Sequence, residues 1–330
     1  MFRRTFLALG LTALTAVGAQ AQQKPVVMRI SHPVPTGHHV HKLIESFANE
    51  VKATTNGAVE VQIFPAEQAA KAAENHPSVA RGAVEAAASV NFQWGSTIPE
   101  MNVTVIPYYL TDLQKIRNWF DSPAAKMLEA KLEQRGVKNL MWLYTTRSTV
   151  FTSGKTPLLK PEDFKGVKIR GLNKLADTAF TAIGAAPSAM PAPEVYQALQ
   201  SGVLDAALTD VSAGVSRRFY EVQKYGTVAP YFMVWYHVYV SPKWWNELSP
   251  SHQEALSKAA RKTELAAFEL TEKTAAEAEK ILAERGMTVH VQTPAEAETW
   301  KAAMQKPVLD EFLKQAPQDG QKLLDAIGKL

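Results

Sequence analysis

GVKIRGLNKLADTAFTAIGAAPSAMPAPEVYQALQSGVLDAALTD, running from Gly166 to Asp210, reads as strand, helix, strand, helix, strand. Val167 to Arg170 is a short β-prone run ending in a cation. Leu175, Ala176, Ala179, Phe180 and Ile183 recur at helical spacing, and Gly184 stops that helix. Pro187 to Met190 is extended. Pro193 opens a second helix at a first-turn position, carried on by Val195, Tyr196 and Leu199 and closed by Gly202. Leu204 to Leu208 is a third apolar strand. Ligands of such sheets gather outside the carboxyl ends of the strands. Arg170 stands at one such end, Thr209 and Asp210 at another. A cation and an acid at neighbouring strand ends point to a small-molecule site more than to a structural pair.

The rest of the chain extends the α/β pattern. Met28–Ser31 is a strand. A helix from about His39 to Thr54 carries Val40, Leu43, Ile44, Phe47 and Val51 on one face, and Val59–Phe64 alternates with period two. Residues 69–74 and 77–82 read as helical, residues 84–90 as a small-residue strand, and 113–134 as a helix or helix pair. Leu140–Tyr144 and a run through Phe151 read as strands, 231–240 as an aromatic β-rich run. From Pro250 to about Arg285 no Gly or Pro interrupts a helical composition. At 1.5 Å per residue such a helix reaches about 50 Å, longer than one small lobe. Terminal helices follow a last strand near 287–291. Two α/β lobes with several chain crossings fit this pattern, with no linker or repeat between halves.

The first residues form an export signal: a basic Met1-Phe2-Arg3-Arg4, a short apolar run and a small-x-small site at Ala19-Gln20-Ala21. Cleavage after Ala21 and a periplasmic location are expected. The signal takes two arginines and no acid from a formal charge of +4, leaving a weakly basic chain without a nucleic-acid footprint. There is no cysteine, hence no disulfide or thiolate chemistry.

Arg170 suits a carboxylate, because its planar fork donates parallel hydrogen bonds; the alternative is an ordinary surface arginine. Arg147, in Thr145-Thr146-Arg147 after a strand, shares a ligand's charge or is simply solvated. Asp210 accepts a proton from a ligand N–H or O–H, or caps the segment at Val211-Ser212. Phe92, Trp94, Trp235, Tyr236 and His237 pack the core or line a pocket. His32, His38, His39 and His41 offer part of a zinc site, but no further ligands are marked, so no metal is assigned; His38 remains a hydrogen-bonding candidate. No nucleotide, zinc-protease or nucleophile-elbow motif is present, and no cofactor is expected.

The chain resembles the extracytoplasmic solute-binding proteins of tripartite ATP-independent periplasmic (TRAP) transporters. The matching pieces are Arg29-Ile30-Ser31-His32, then Thr54-Thr55-Asn56-Gly57-Ala58-Val59-Glu60-Val61 with Ile63-Phe64-Pro65. The most specific are Gly166–Arg170, Gly184-Ala185-Ala186-Pro187 and Glu194-Val195-Tyr196-Gln197-Ala198-Leu199-Gln200-Ser201-Gly202-Val203-Leu204-Asp205. The resemblance implies a periplasmic-binding-protein-like α/β fold, two lobes around a ligand cleft with a long helix spanning both. Its lobes would be residues 22–146 with about 235–272, and 147–234 with about 273–330. It implies a receptor rather than an enzyme, monomeric, handing a small organic acid to a two-subunit membrane permease. Arg170 would pair with the substrate carboxylate, Arg147 would stand where the family often places a second arginine, and Asn91 and Phe92 would meet ligand from the first lobe.

Two departures narrow the ligand. Ala206-Ala207-Leu208 replaces the Gly and polar residues common after Asp205, so Thr209-Asp210 is the first polar pair. Ala192-Pro193 stands where sialic-acid binders have an aromatic residue before Glu194. Both speak against sialic acid and C4-dicarboxylates. The expected ligand is a monocarboxylate with an N–H or O–H donor: pyroglutamate-like, hydroxy, sugar or, given Phe92, Trp94 and Trp235, aromatic. The other classes are a periplasmic enzyme on the same scaffold and a zinc-binding or sensory protein.

Overall fold

A computed structural model describes residues 24–330; the export signal and its cleavage site lie outside the described residues. The chain begins β1 (Val26–Ser31), α1 (His39–Thr54), β2 (Val59–Phe64), α2 (Asn75–Ala80) and β3 (Ala86–Val90). It continues α3 (Leu113–Arg117), α4 (Pro123–Gln134), β4 (Lys138–Thr146) and β5 (Thr149–Ser153). The stretch from Gly166 to Asp210 holds β6 (Lys168–Gly171), α5 (Lys174–Ala182), β7 (Ala186–Ala189), α6 (Ala192–Gln200) and β8 (Ala206–Asp210). Then come α7 (Val211–Ser216), β9 (Tyr225–Ala229), β10 (Val234–Val240) and α8 (Pro242–Glu247). Last are α9 (Pro250–Glu284), β11 (Thr288–Val291), α10 (Pro294–Gln315) and α11 (Gly320–Gly328).

The strands form two mixed sheets, ordered β2-β1-β3-β10-β4 and β11-β9-β5-β8-β6-β7. In the first, β1 lies parallel to β2 and β3, and β10 runs antiparallel between β3 and β4. In the second, β6 pairs in parallel with β7 and β8, with Arg170 opposite Ser188 and Ala207. The chain passes between sheets after β4 and before β10, each crossing taking only a few residues.

Helix α9 is the long element expected after Pro250, and it serves both lobes. Ser249 caps it by accepting from the His252 N–H at 3.2 Å, and Pro250 occupies the first turn, where a missing N–H costs nothing. Leu256, Ala259, Ala260, Ala267 and Phe268 are buried on the first lobe; Ala278 and Leu282 pack with Val150, Val211, Val228 and Met287 of the second. The helix is therefore a shared beam rather than a helix of one lobe.

Two local readings change, and the choice left open over residues 113–134 is decided. Residues 69–74 are mostly not helical: only a 3-10 turn at Ala72–Glu74 forms. Ala66 and Glu67 have positive φ, and the Glu67 carboxylate accepts from the Ala72 N–H at 2.8 Å, which ties the segment as a loop. Residues 113–134 are two helices, separated at Asp121 with φ 62 and restarted by the Ser122 cap. Within 273–330, expected with the second lobe, α10 packs on α5 but α11 returns to α4 of the first. The Tyr109 hydroxyl donates to the Leu324 carbonyl at 3.1 Å, and Lys131 pairs with Asp319 at 2.9 Å, which fix α11 there.

Candidate functional site

A cavity of ≈480 Å³ opens between the two sheets, within the size range of small-molecule sites. Carboxyl-end residues of β3, β6 and β8 reach it, as do the His38 cap of α1 and the first residues of α5 and α6. The helix dipoles add a partial positive charge at those N-termini, which favours an anion. Phe92, Trp94, Val234 and the rings of Tyr236 and Tyr239 add apolar and aromatic lining.

Arg170 lies in that cavity and is 4% exposed. Its Nε and Nη2 donate to the Met190 carbonyl at 3.1 and 3.0 Å, and Nη1 donates to the Leu208 carbonyl at 2.7 Å. Three of the five guanidinium donors are thus used on neutral oxygens, leaving one N–H on each terminal nitrogen. Two such donors are what a carboxylate accepts from one arginine. Burial, with the like charge of Arg217 beside it, lowers the Arg170 pKa to about 10, so it remains a cation at neutral pH.

Asp210 and Thr209 also line the cavity. The Asp210 carboxylate caps α7: Oδ1 accepts from the Ser212 N–H at 3.0 Å and Oδ2 from the Ser212 hydroxyl at 2.8 Å. The His38 Nε2 stands 3.4 Å from Oδ2. Burial alone would raise the Asp210 pKa, but the hydrogen bonds from His38 and Ser212 hold it below the ordinary carboxylate range. One of its roughly four lone-pair sites is left for a ligand donor.

His38 caps α1 through Nδ1, which accepts from the Val40 N–H at 3.2 Å. The proton therefore sits on Nε2, facing Asp210. The neighbouring His39 bonds the Thr145 carbonyl through Nε2 at 3.0 Å, and its Nδ1 lies 3.2 Å from the Ser212 hydroxyl. Burial pushes His39 down to about 3, so it is neutral. His38, His39 and Asp210 bring their ligand atoms within 4.8 Å of one another. The His38 tautomer opposes a metal there, because the nitrogen facing the others carries a proton while the other nitrogen serves as the helix cap.

These contacts join the lobes around the cavity. Asn173, the N-cap of α5, accepts from the Ala176 N–H at 3.0 Å. Its Nδ2 donates across to the Phe92 carbonyl at 3.1 Å and to Asn102 Oδ1 at 2.7 Å. Arg217, just after α7, donates to the Pro33 carbonyl at 3.3 Å.

Arg170, Thr209, Asp210, Phe92, Trp94 and His38 come together here. Three other expected site residues do not. Arg147 is bound to Glu272 of α9, with Nη2–Oε2 at 2.8 Å and Nε–Oε1 at 3.1 Å, in a separate groove. Asn91 is a buried staple: its Nδ2 donates to the Met101 carbonyl and Thr104 hydroxyl at 2.6 and 2.7 Å, and its Oδ1 accepts from the Trp235 N–H at 3.1 Å. Trp235 is fully buried against Trp119, Phe120 and Trp142. Side chains alternate along a strand, so Val234 and Tyr236 reach the cavity and Trp235 turns away. The sequence reading missed Arg217 and Asn173 and left Tyr236 between core and pocket. Asn173 before Lys174 was the available signal, as a helix-cap residue; Arg217 had none.

Residues 30–315 match the family described as bacterial extracellular solute-binding protein, family 7. The chain is 31% identical to the C4-dicarboxylate-binding periplasmic protein DctP of Rhodobacter capsulatus over 94% of each chain. The structure of a TRAP periplasmic solute binding protein from Desulfovibrio salexigens with bound orotic acid is 27% identical, with a TM-score of 0.86 over 92% of this chain and 97% of that one. A Bordetella pertussis extracytoplasmic solute receptor binding pyroglutamic acid shares the fold at a TM-score of 0.83 and 24% identity, over 92% of this chain and 99% of that one. With two α/β lobes, a cleft between them and a match along almost its whole described length, this chain belongs to the family 7 extracellular solute-binding proteins, the solute receptors of TRAP transporters.

Proposed function

We propose that this receptor binds a small monocarboxylate bearing an N–H or O–H donor, and that Arg170 anchors its carboxylate. The observation that carries this reading is the donor count on Arg170: two N–H groups remain on a buried cation whose other bonds hold it rigid. Asp210 supplies the complementary acceptor for the ligand's N–H or O–H. The orotic acid bound by the Desulfovibrio relative combines a carboxylate with ring N–H groups, which supports this class. Phe92 and Trp94 give an aromatic wall suited to a flat ring. Closure of the lobes desolvates the ion pair, which makes an unmatched polar group costly and so gives selectivity.

On this reading the protein is a periplasmic receptor and not an enzyme, cleaved after Ala21, acting as a monomer and passing its acid to the permease. A thermal-shift screen of organic acids, followed by calorimetry on the best of them, tests it. Arg170→Ala should abolish binding while the circular dichroism spectrum stays native. An Arg170→Ala protein that binds as tightly as wild type would remove the anchor. Mass spectrometry of the released ligand should return it unchanged.

The name of the Rhodobacter relative favours a second reading, a C4-dicarboxylate. Succinate in the same screen decides between them.

A further inference from the structure

The second guanidinium in the cavity is Arg217. It follows α7, lines the cavity, and makes one long hydrogen bond, from Nη2 to the Pro33 carbonyl at 3.3 Å. Its Nε is shut off from solvent and has no hydrogen-bond partner among the described residues. The next residue shows what an idle arginine does on this surface: Arg218 turns outward and pairs with Glu221. Arg217 instead stays inside, next to another cation, although burial lowers its pKa. Glu67 helps to hold the charge, but its carboxylate is already engaged with the Ala72 N–H at 2.8 Å and Lys71 at 3.5 Å.

A half-buried cation whose Nε is shut off from solvent without a partner, beside a like charge, is costly in the empty protein. Such an arrangement makes sense when a ligand completes it. Arg147 is unavailable for that purpose, because Glu272 already neutralises it. The interior charges lining the cavity are Arg170, Arg217 and Asp210, with Lys174 exposed at the rim. Asp177 near Arg170 and Glu67 near Arg217 add negative charge without lining the cavity, so within it the two guanidinium groups are what an acid's charge meets.

We propose that Arg217 is the second cation of the ligand site, sharing with Arg170 the negative charge of one organic acid and setting the receptor's preference for acids over neutral analogues. This rests on the reading of Arg170 as the carboxylate anchor. Tyr236 lines the same cavity, and burial pushes its phenol up to about 12, so it stays protonated and offers a further O–H donor there. Because Arg217 belongs to the second lobe and holds the Pro33 carbonyl of the first, an acid seated on it also draws the lobes together.

The test compares wild type, Arg217→Met and Arg170→Met, each unfolded and refolded to strip any bound acid. Orotate, pyroglutamate and succinate are titrated beside orotamide, pyroglutamamide and succinamide. Wild type should prefer an acid it binds to the matching amide by about 100-fold or more, and Arg217→Met should cut that preference at least about tenfold. An undiminished preference overturns the proposal. If Arg170→Met keeps the preference and Arg217→Met loses it, the Arg170 anchor fails and Arg217 stands; the reverse pattern removes Arg217 alone. If none of the acids binds wild type, the ligand-free melting temperature decides. Removing a half-buried cation that has an unpaired Nε and a like charge beside it should then raise it by about 2 °C, and an unchanged or lower value overturns the proposal.

Discussion

The His38 imidazole and the Asp210 carboxylate meet across the two lobes at 3.4 Å, one capping α1 and the other capping α7. Each therefore does two jobs: it ends a helix in its own lobe and holds the opposite lobe. Asp210→Asn keeps a competent cap but removes the charge, at an expected cost of about 1–3 kcal/mol at pH 7. The Asp210 pKa is depressed in the folded state, so its contribution is full above the unfolded carboxyl value of about 3.9 and is lost as pH falls through the folded value. Urea melts should show a constant gap between wild type and Asp210→Asn from pH 7 to about 5, closing below about pH 4. A gap that widens toward acid would contradict the assignment.

Arg170→Lys tests geometry at constant charge. Lysine is a single point donor and cannot hold the Met190 and Leu208 carbonyls and also present two parallel N–H groups. Calorimetry should show acid affinity down by about 100-fold or more, a loss of about 3 kcal/mol. Retention within about threefold would mean that charge alone anchors the ligand.

Arg147 gives the opposite pattern. Its pair with Glu272 is one-third exposed on both sides, so solvent screening reduces its worth to about 0.5–1 kcal/mol. Arg147→Ala should lower urea stability by that amount and leave ligand affinity within about twofold. A large affinity loss would return Arg147 to the site.

The architecture was legible because period and punctuation were strong. The β-α-β-α-β run from Gly166 carried helical spacing, Gly184 and Gly202 as stops, and Pro193 near a helix start. Arg170 followed from its place at a strand end. Trp235 and Tyr236 could not be separated, because every residue of β10 is buried and the strand shows no alternation to reveal its two faces. Arg147 was misplaced because its partner Glu272 lies 125 residues away among the many acids of α9. Arg217 lies in a short irregular segment, where no periodicity marks a side chain turned toward a cavity.

Acid stability follows from the buried histidines. Burial pushes His32, His39 and His237 each down from 6.5 to about 3 in the folded protein. The neutral form of His237 is fixed by its partners: its Nε2 accepts from the Trp94 indole at 2.7 Å, and its Nδ1 faces Asn139 Oδ1 at 3.0 Å. The unfolded chain takes up protons below about pH 6.5 while the folded chain does not, so stability present above that pH is lost as pH falls toward 3. Each such histidine adds up to about 1.4 kcal/mol per pH unit to the slope. His237→Gln keeps one donor and one acceptor and removes the titration. Between pH 6 and 4 its urea-derived stability should fall less steeply than wild type by about one proton's worth, even though it starts lower at pH 7. Parallel slopes would show that His237 is protonated in the folded state, and would break the Trp94–His237–Asn139 chain as drawn.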